Sequence, residues 1–425
     1  MNFTRMIMQN NPLNDVKKTE VHSLHRWTVV IASFFVTVMV YGGSYSFGVF
    51  FKPLREDFGW TTAATSGAFS LLMFSYCALG IVSGLAVDRF GPRTTVGIGG
   101  LLMGLGFLLN SRISTLWQIY MTHGILLGPG MSTAYTPLLT TISRRFTRWR
   151  GLALGIVTAG GGVGTFIIPP FVSYLISNHG WRLSYLILGP LVGGTLIGAA
   201  FFLKKDRSQI RGVVDKKTGA TKMKGNGVTS DATDFSLRRA FGTKNFWFLC
   251  LMNLTVGFGV QMMIVHIVPY AQQGLRLSPM IAATVLGTIG AGGIVGRLTM
   301  GAASDRIGPG RALAVATSIE GAMIIGIMSS SRAWMLHLFA AIFGFGYGGH
   351  VPQFPGLAGK LFGLRRMGTI LGTQAILYGV GGAFGPFLAG HIFDRTGSYA
   401  NAFVLAATGM FLTAASTLFI KRPKF

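Results

Sequence analysis

One guanidinium, three imidazoles and one carboxylate stand in stretches of this sequence too apolar to hydrate them: Arg297, His123, His266, His350 and Glu320. A guanidinium offers two parallel donors matched to a carboxylate. In hydrocarbon its charge is costly unless it faces a partner or a water-filled cavity. Arg297 therefore reads as the seat of an anionic substrate, with snorkelling to the nearby membrane surface as the bland alternative. Histidine titrates near neutral pH and relays protons, which makes the three imidazoles candidates for proton coupling. Hydrogen-bonded packing is the alternative for each. Glu320, near the middle of its apolar run, is a fourth candidate. Tyr120, Phe343, Tyr347 and Tyr378 fall at helical positions suited to the wall of a pore, or to ordinary packing.

A second set of chemistry-bearing residues sits in a doubled motif. Gly84, Asp88, Arg89, Gly91 and Pro92 recur 217 positions later as Gly301, Asp305, Arg306, Gly308 and Pro309. In each copy an acid ends a helix and is followed by Arg and a Gly-Pro turn. The carboxylate is placed to pair with Arg93 or Arg311 and to face the N-terminus of a neighbouring helix. Turn geometry explains the Gly and Pro but not the repeated acid. The same offset relates Gly151 to Gly368, Gly162 to Gly379, Pro169 to Pro386 and Gly180 to Gly397. The chain is thus expected to be two parallel copies of one design.

The elements that must carry these residues follow from composition. Half of the 425 residues are hydrophobic and only 12% are charged, with a mean hydropathy of +0.53. That balance excludes a soluble single-core protein and a disordered chain. Cys77 and Cys250 lie in apolar runs and build neither a disulfide framework nor a zinc motif. A membrane-spanning helix needs about 20 apolar residues. Such runs occur at 27–51, 62–87, 94–111, 116–142, 151–176 and 181–203, then at 246–272, 279–303, 312–330, 333–361, 368–393 and 399–420. The fold class expected is an all-α membrane protein of twelve transmembrane helices. Its parts are a tail at 1–26, a six-helix half at 27–203, a polar linker at 204–244, a second half at 245–420 and a tail at 421–425. Glycine clusters at 160–164 and 379–382 precede no P-loop Lys-Ser/Thr and suit helices that approach closely and rock.

Charge sets the orientation. With both termini and the linker in the cytoplasm, 29 of the 37 Lys and Arg fall on that side and seven on the other, leaving Arg297 within a span. Positive-inside bias predicts this topology. It also accounts for the net charge of +25 without a nucleic-acid partner.

The doubled motif in a six-plus-six layout resembles the cytoplasmic loop signature of the major facilitator superfamily, over essentially 27–420. A finer resemblance is to the monocarboxylate transporter branch and its bacterial oxalate/formate relatives. It rests on Tyr45 to Phe51 in span one, Arg150 to Gly155 entering span five, Gly296 to Gly301 in span eight and Phe343 to Tyr347 in span ten. The resemblance implies the major facilitator fold and a cytoplasmic gate built from Asp88, Arg89, Arg93, Asp305, Arg306 and Arg311, which holds the outward-open state. It also implies an anion-binding role for Arg297. Span seven belongs to the pore-lining set in that family, so His266, followed by Pro269, leads the proton candidates. Span nine is peripheral, so Glu320 is expected to be protonated or bound to a neighbouring helix.

Three departures from the branch pattern matter. Tyr45 stands where the branch has a span-one Lys. Gly293 stands where it has an Asp four residues before the Arg. Gln374 occupies the span-eleven region where the oxalate antiporter needs a second cation. One fixed cation suits one carboxylate, with Tyr45 and Gln374 as further substrate contacts, while the missing acid removes the branch's usual proton scheme.

The function expected is secondary transport of a small monocarboxylate of the lactate or pyruvate kind, coupled to a proton. Organic-anion exchange is the alternative. No Walker motif is present for ATP, and the acids are too scattered for an intramembrane enzyme. No cofactor or metal is expected. The partners expected are the anion, the proton and the bilayer of a plasma membrane, in a bacterium the inner one.

Overall fold

Long apolar runs in hydrocarbon must satisfy their backbone internally, and an unbroken apolar segment does so as a helix. The computed structural model describes residues 12–145, 150–203, 240–362 and 367–420, and no strand occurs among them. The first set of helices is α1 (Pro12–Tyr45), α2 (Phe47–Phe58), α3 (Thr62–Ala78), α4 (Gly80–Phe90), α5 (Pro92–Asn110), α6 (Leu116–Ile119), α7 (Leu127–Arg145) and α8 (Arg150–Phe202), with a π-helical stretch at Tyr120–Leu126. The second set is α9 (Lys244–Gln273), α10 (Pro279–Ile307), α11 (Pro309–Met328), α12 (Ala333–His350), α13 (Gln353–Phe362), α14 (Met367–Thr396) and α15 (Ala400–Ser416).

Eight described helical stretches are long and apolar enough to cross a bilayer. The twelve crossings of the two six-helix halves differ from that number because of breaks. Spans two, four and ten are divided at Leu79, at the π-helical stretch and at Val351–Pro352. Spans five and six run together in α8, where Gly180 turns the chain with φ 78° and ψ 165°. The helix that carries the first span starts at Pro12, ahead of the apolar run that begins at Trp27. Residues 1–11, 421–425 and most of the 204–244 segment lie outside the described residues.

The repeat is written into the backbone. Six described residues have positive φ: Gly59, Gly91, Gly180, Arg276, Gly308 and Gly397. They form three pairs, 59 with 276, 91 with 308 and 180 with 397, each separated by the offset of the sequence repeat. Gly91 and Gly308, both inside the doubled motif, have near-identical conformations (φ 84°, ψ 164° and φ 86°, ψ 150°).

The halves meet along two main seams, α3 against α14 and α8 against α10, with α2 also touching α9. Small residues make these seams possible. A Cβ on Gly290 would stand 2.6 Å from the Gly162 carbonyl oxygen, and one on Gly162 would stand 2.9 Å from that of Gly290. A Cβ on Gly390 would come within 2.8 Å of the Ala63 Cα. Within the first half, Gly164 leaves no room for a Cβ against the Val38 carbonyl of α1.

Candidate functional site

Between the halves lies a cavity of about 350 Å³, lined from both sides. Six tyrosines ring it: Tyr41 and Tyr45 from α1, Tyr76 from α3, Tyr135 from α7, Tyr347 from α12 and Tyr378 from α14. Tyr41 packs edge-on against Tyr45 and Tyr135, with ring centroids 5.5 and 5.2 Å apart. Neutral phenols both donate and accept, so the wall is apolar in its faces and polar at its tips. Three helix breaks abut the cavity. Tyr45 ends α1, Cys77 precedes the break at Leu79, and His350 ends α12. The last break follows from Pro352, which lacks an N–H. There the Gln353 amide donates to the Gly349 and Met300 carbonyls and pins the chain to α10.

Arg297 enters this cavity from α10. Its Nη1 donates to the Thr158 carbonyl of α8, so the guanidinium bridges the two halves. Its carbon lies 5.8 Å from the Tyr347 ring centroid, within cation–π range. Its Nε is buried without a partner. The side chain faces the central cavity and does not snorkel.

Two buried amides share the space. Gln261 of α9 donates through Nε2 to the Tyr45 and Tyr378 hydroxyls, at 3.3 and 3.0 Å, and leaves Oε1 unpartnered. Gln374 of α14 is 2% exposed, and neither polar atom of its amide has a partner. Buried polar groups are nearly always bonded. An orphaned donor on Arg297 beside orphaned amides on the same wall is the pattern of a site shaped for a polar ligand.

His350 also lines the cavity. Its Nδ1 lies 2.8 Å from Oε1 of Glu320, on α11 behind it, and both side chains are buried. Glu320 is therefore held by a neighbouring helix, as its place in a peripheral span suggests. Its Oε2 has no partner.

The other expected residues lie elsewhere. His266 is buried outside the cavity; its Nε2 donates to the Pro386 carbonyl at 2.9 Å and its Nδ1 lies 3.3 Å from the Tyr399 hydroxyl. Both ring nitrogens are thus occupied. His123, in the π-helical stretch, meets the Asn110 amide at 3.0 Å and lies against Phe47. Tyr120 donates to the Ala64 carbonyl and lines a separate pocket with Phe74 and Phe384. Phe343 is fully buried in the core. At the motif turns, Arg89 and Arg93 lie over the Phe90 and Phe201 rings. Asp305, Arg306 and Arg311 line one groove with Lys360. The side chain of Asp88 lies outside the described residues. Among the described residues, no cluster suited to holding a metal ion occurs.

Tyr41, Tyr76, Tyr135, Asn253 and Gln261 are cavity residues that the sequence reading did not single out. The signal for the two amides was present, as each is an uncharged polar group in the apolar run 246–272.

The model of the family described as Major Facilitator Superfamily matches residues 33–386. Monocarboxylate transporter 12 of Mus musculus is 28% identical over 421 residues, covering 93% of this chain and 85% of the relative. Monocarboxylate transporter 13 is 29% identical in Rattus norvegicus and 30% in Bos taurus, each comparison covering 94% of this chain and 89% of the relative. Among solved structures, a bacterial homologue of the human lysosomal transporter Spinster, in an inward-facing and unoccupied conformation, superimposes with a TM-score of 0.65. It is 16% identical, with 93% of this chain and 95% of that one covered.

Proposed function

Because this chain belongs to the major facilitator superfamily, in its monocarboxylate transporter branch, we propose that it moves a small monocarboxylate across the membrane together with a proton. It is a multi-pass membrane transporter and not an enzyme. The observation that carries the substrate class is Arg297, the one permanent cation on the described cavity wall, with its Nε unsatisfied. A carboxylate takes the guanidinium fork, and the substrate's remaining oxygens meet the orphaned amides of Gln374 and Gln261. Ligand pockets commonly span roughly 300–1,000 Å³, so about 350 Å³ fits a small acid better than a large one.

Arg297 also supplies the link to motion. Its bond to Thr158 joins the halves across the α8–α10 seam. A bound carboxylate competes for that guanidinium and changes what holds the seam together. The glycine contacts let the halves rock about the site, exposing it to each side in turn. Both termini and the 204–244 segment face the cytoplasm of a plasma membrane in this reading, on the charge asymmetry. A cysteine placed in that segment should resist an impermeant reagent added outside intact cells, and rapid labelling would invert the orientation.

The test of function is uptake by proteoliposomes offered labelled lactate, pyruvate, acetate, formate and oxalate, with and without a pH gradient. Lactate or pyruvate should accumulate when the interior is alkaline. Exchange of oxalate for formate, indifferent to the gradient, would replace this reading with anion exchange.

A further inference from the structure

We propose that His350 and Glu320 form the proton-binding site of this transporter, a buried pair that supplies Arg297 with a counter-charge whenever the substrate is absent. The inference rests on the carboxylate reading of the cavity for its coupling, though not for the proton site itself. The pair lies at the cavity edge, with His350 on the wall and Glu320 sealed behind it, 2.8 Å between Nδ1 and Oε1. A buried carboxylate with one oxygen unpartnered is costly as an anion. A proton passed from the imidazole to the carboxyl removes that charge.

Few other charges compete for that role. On α10 the only acid is Asp305, at the motif turn beside Arg306, two helical turns beyond Arg297. On α12 the ionisable groups are Tyr347, whose ring lies 5.7 Å from that of His350, and His337, bonded to Thr284 well over three turns away. On α11 itself Arg311 lies in the first turn, and on α13 Lys360 lies near Gly308 at the motif end. Helix α15 has none. From the cavity side, Arg297 approaches through Tyr347, 5.8 Å from its ring.

The linkage follows from adding charges. In the empty, deprotonated site the Arg297 cation is balanced by the Glu320 anion. In the loaded site it is balanced by the substrate carboxylate, while the pair holds one proton and is neutral overall. Either mixed state leaves one uncompensated charge in a partly dry cavity. Proton and anion therefore bind best together, which is the thermodynamic requirement for symport. At an effective dielectric near 20, two unit charges sharing one such site shift each other's affinity on the order of tenfold or more. The proton enters from the cavity onto the free His350 nitrogen and the imidazole releases one to Glu320; the return reverses these steps, with no bond formed or broken beyond N–H and O–H.

The test uses full-length protein in proteoliposomes, as wild type and as Glu320→Gln and His350→Gln variants. Under an inside-alkaline gradient, wild type should concentrate lactate. Glu320→Gln should lose at least tenfold of that accumulation, its label rising only toward equilibration. Infrared spectra recorded on acidification, without substrate, should show a carboxylic acid band in wild type that is missing from Glu320→Gln and displaced in His350→Gln. Should Glu320→Gln fail to fold, His350→Gln reports on the same pair through the displaced band. Undiminished accumulation by Glu320→Gln, or a band untouched by both variants, would overturn the proton site. A wild type that shows the band but exchanges no lactate would sink the carboxylate reading and leave the proton site standing.

Discussion

Asp394 caps the helix that starts at Thr62: its Oδ1 accepts the Thr62 N–H and its Oδ2 the Ala63 N–H, both at 2.8 Å. The contact runs from α14 in one half to α3 in the other, at the end of the bundle opposite the doubled motif. The first N–H groups of a helix have no internal partners and carry the positive end of its dipole. A carboxylate there is worth about 1 kcal/mol at an exposed site, roughly fivefold in a conformational equilibrium. Thr61 adds a second cap through Ala64. Asp394 and α3 thus form a clasp across the halves, and nothing in the sequence pattern pointed to it.

Asp394→Ala should shift the population toward a state open at that end by about fivefold. Electron-spin distances between labels placed on α2 and α15 near that end should lengthen or broaden. A distribution identical to wild type would show that the clasp does not hold the halves.

Arg276 is the one non-glycine residue with positive φ among those described, at 53°, and its repeat mate is Gly59 at 67°. A left-handed conformation costs an ordinary residue roughly 1–2 kcal/mol, partly offset by the greater unfolded-state freedom of glycine. Arg276→Gly should therefore stabilise the protein by about 0.5–1 kcal/mol, read as a small rise in melting temperature in detergent. A fall would mean that the arginine side chain contributes more than its backbone strain costs.

Gly162 and Gly290 let α8 and α10 touch backbone to backbone. Added methyl groups cannot be accommodated there without shifting a main chain. Gly290→Ala should slow transport by about tenfold or more while leaving substrate affinity within a few-fold, because it obstructs the seam rather than the Arg297 site. The two quantities separate when exchange rates are compared with equilibrium binding. Equal losses in both would place Gly290 in the site itself.

The apolar runs and the doubled motif made the two-half architecture legible, and the 217-residue offset returns as three matched pairs of positive-φ residues. Arg297 was legible as well, since one guanidinium in an apolar span has few uses. The facing of each helix was not legible. Helices hydrophobic all round carry no polar stripe to mark which side meets which neighbour. His350 and Glu320, 30 residues apart, meet only because α11 and α12 pack in one particular rotation. His266 led the proton candidates on its place in span seven, and the Pro386 carbonyl and Tyr399 hydroxyl at its two nitrogens are contacts that its position in the sequence does not show. The tyrosine ring was hidden for the same reason, its members coming from five helices that the sequence does not orient.

Substrate binding by Arg297 variants bears most directly on the central claim. Equilibrium binding of lactate or pyruvate to purified protein should be compared for wild type, Arg297→Lys and Arg297→Ala. Removing one partner of a charge-assisted pair in a partly dry site costs about 2–5 kcal/mol, roughly 30- to several-thousand-fold in affinity. Arg297→Ala should fall by that factor. Arg297→Lys, which keeps the charge and loses the planar fork, should recover little of it. Monocarboxylate affinity within threefold of wild type in a well-folded Arg297→Ala protein would contradict both the site and the substrate class.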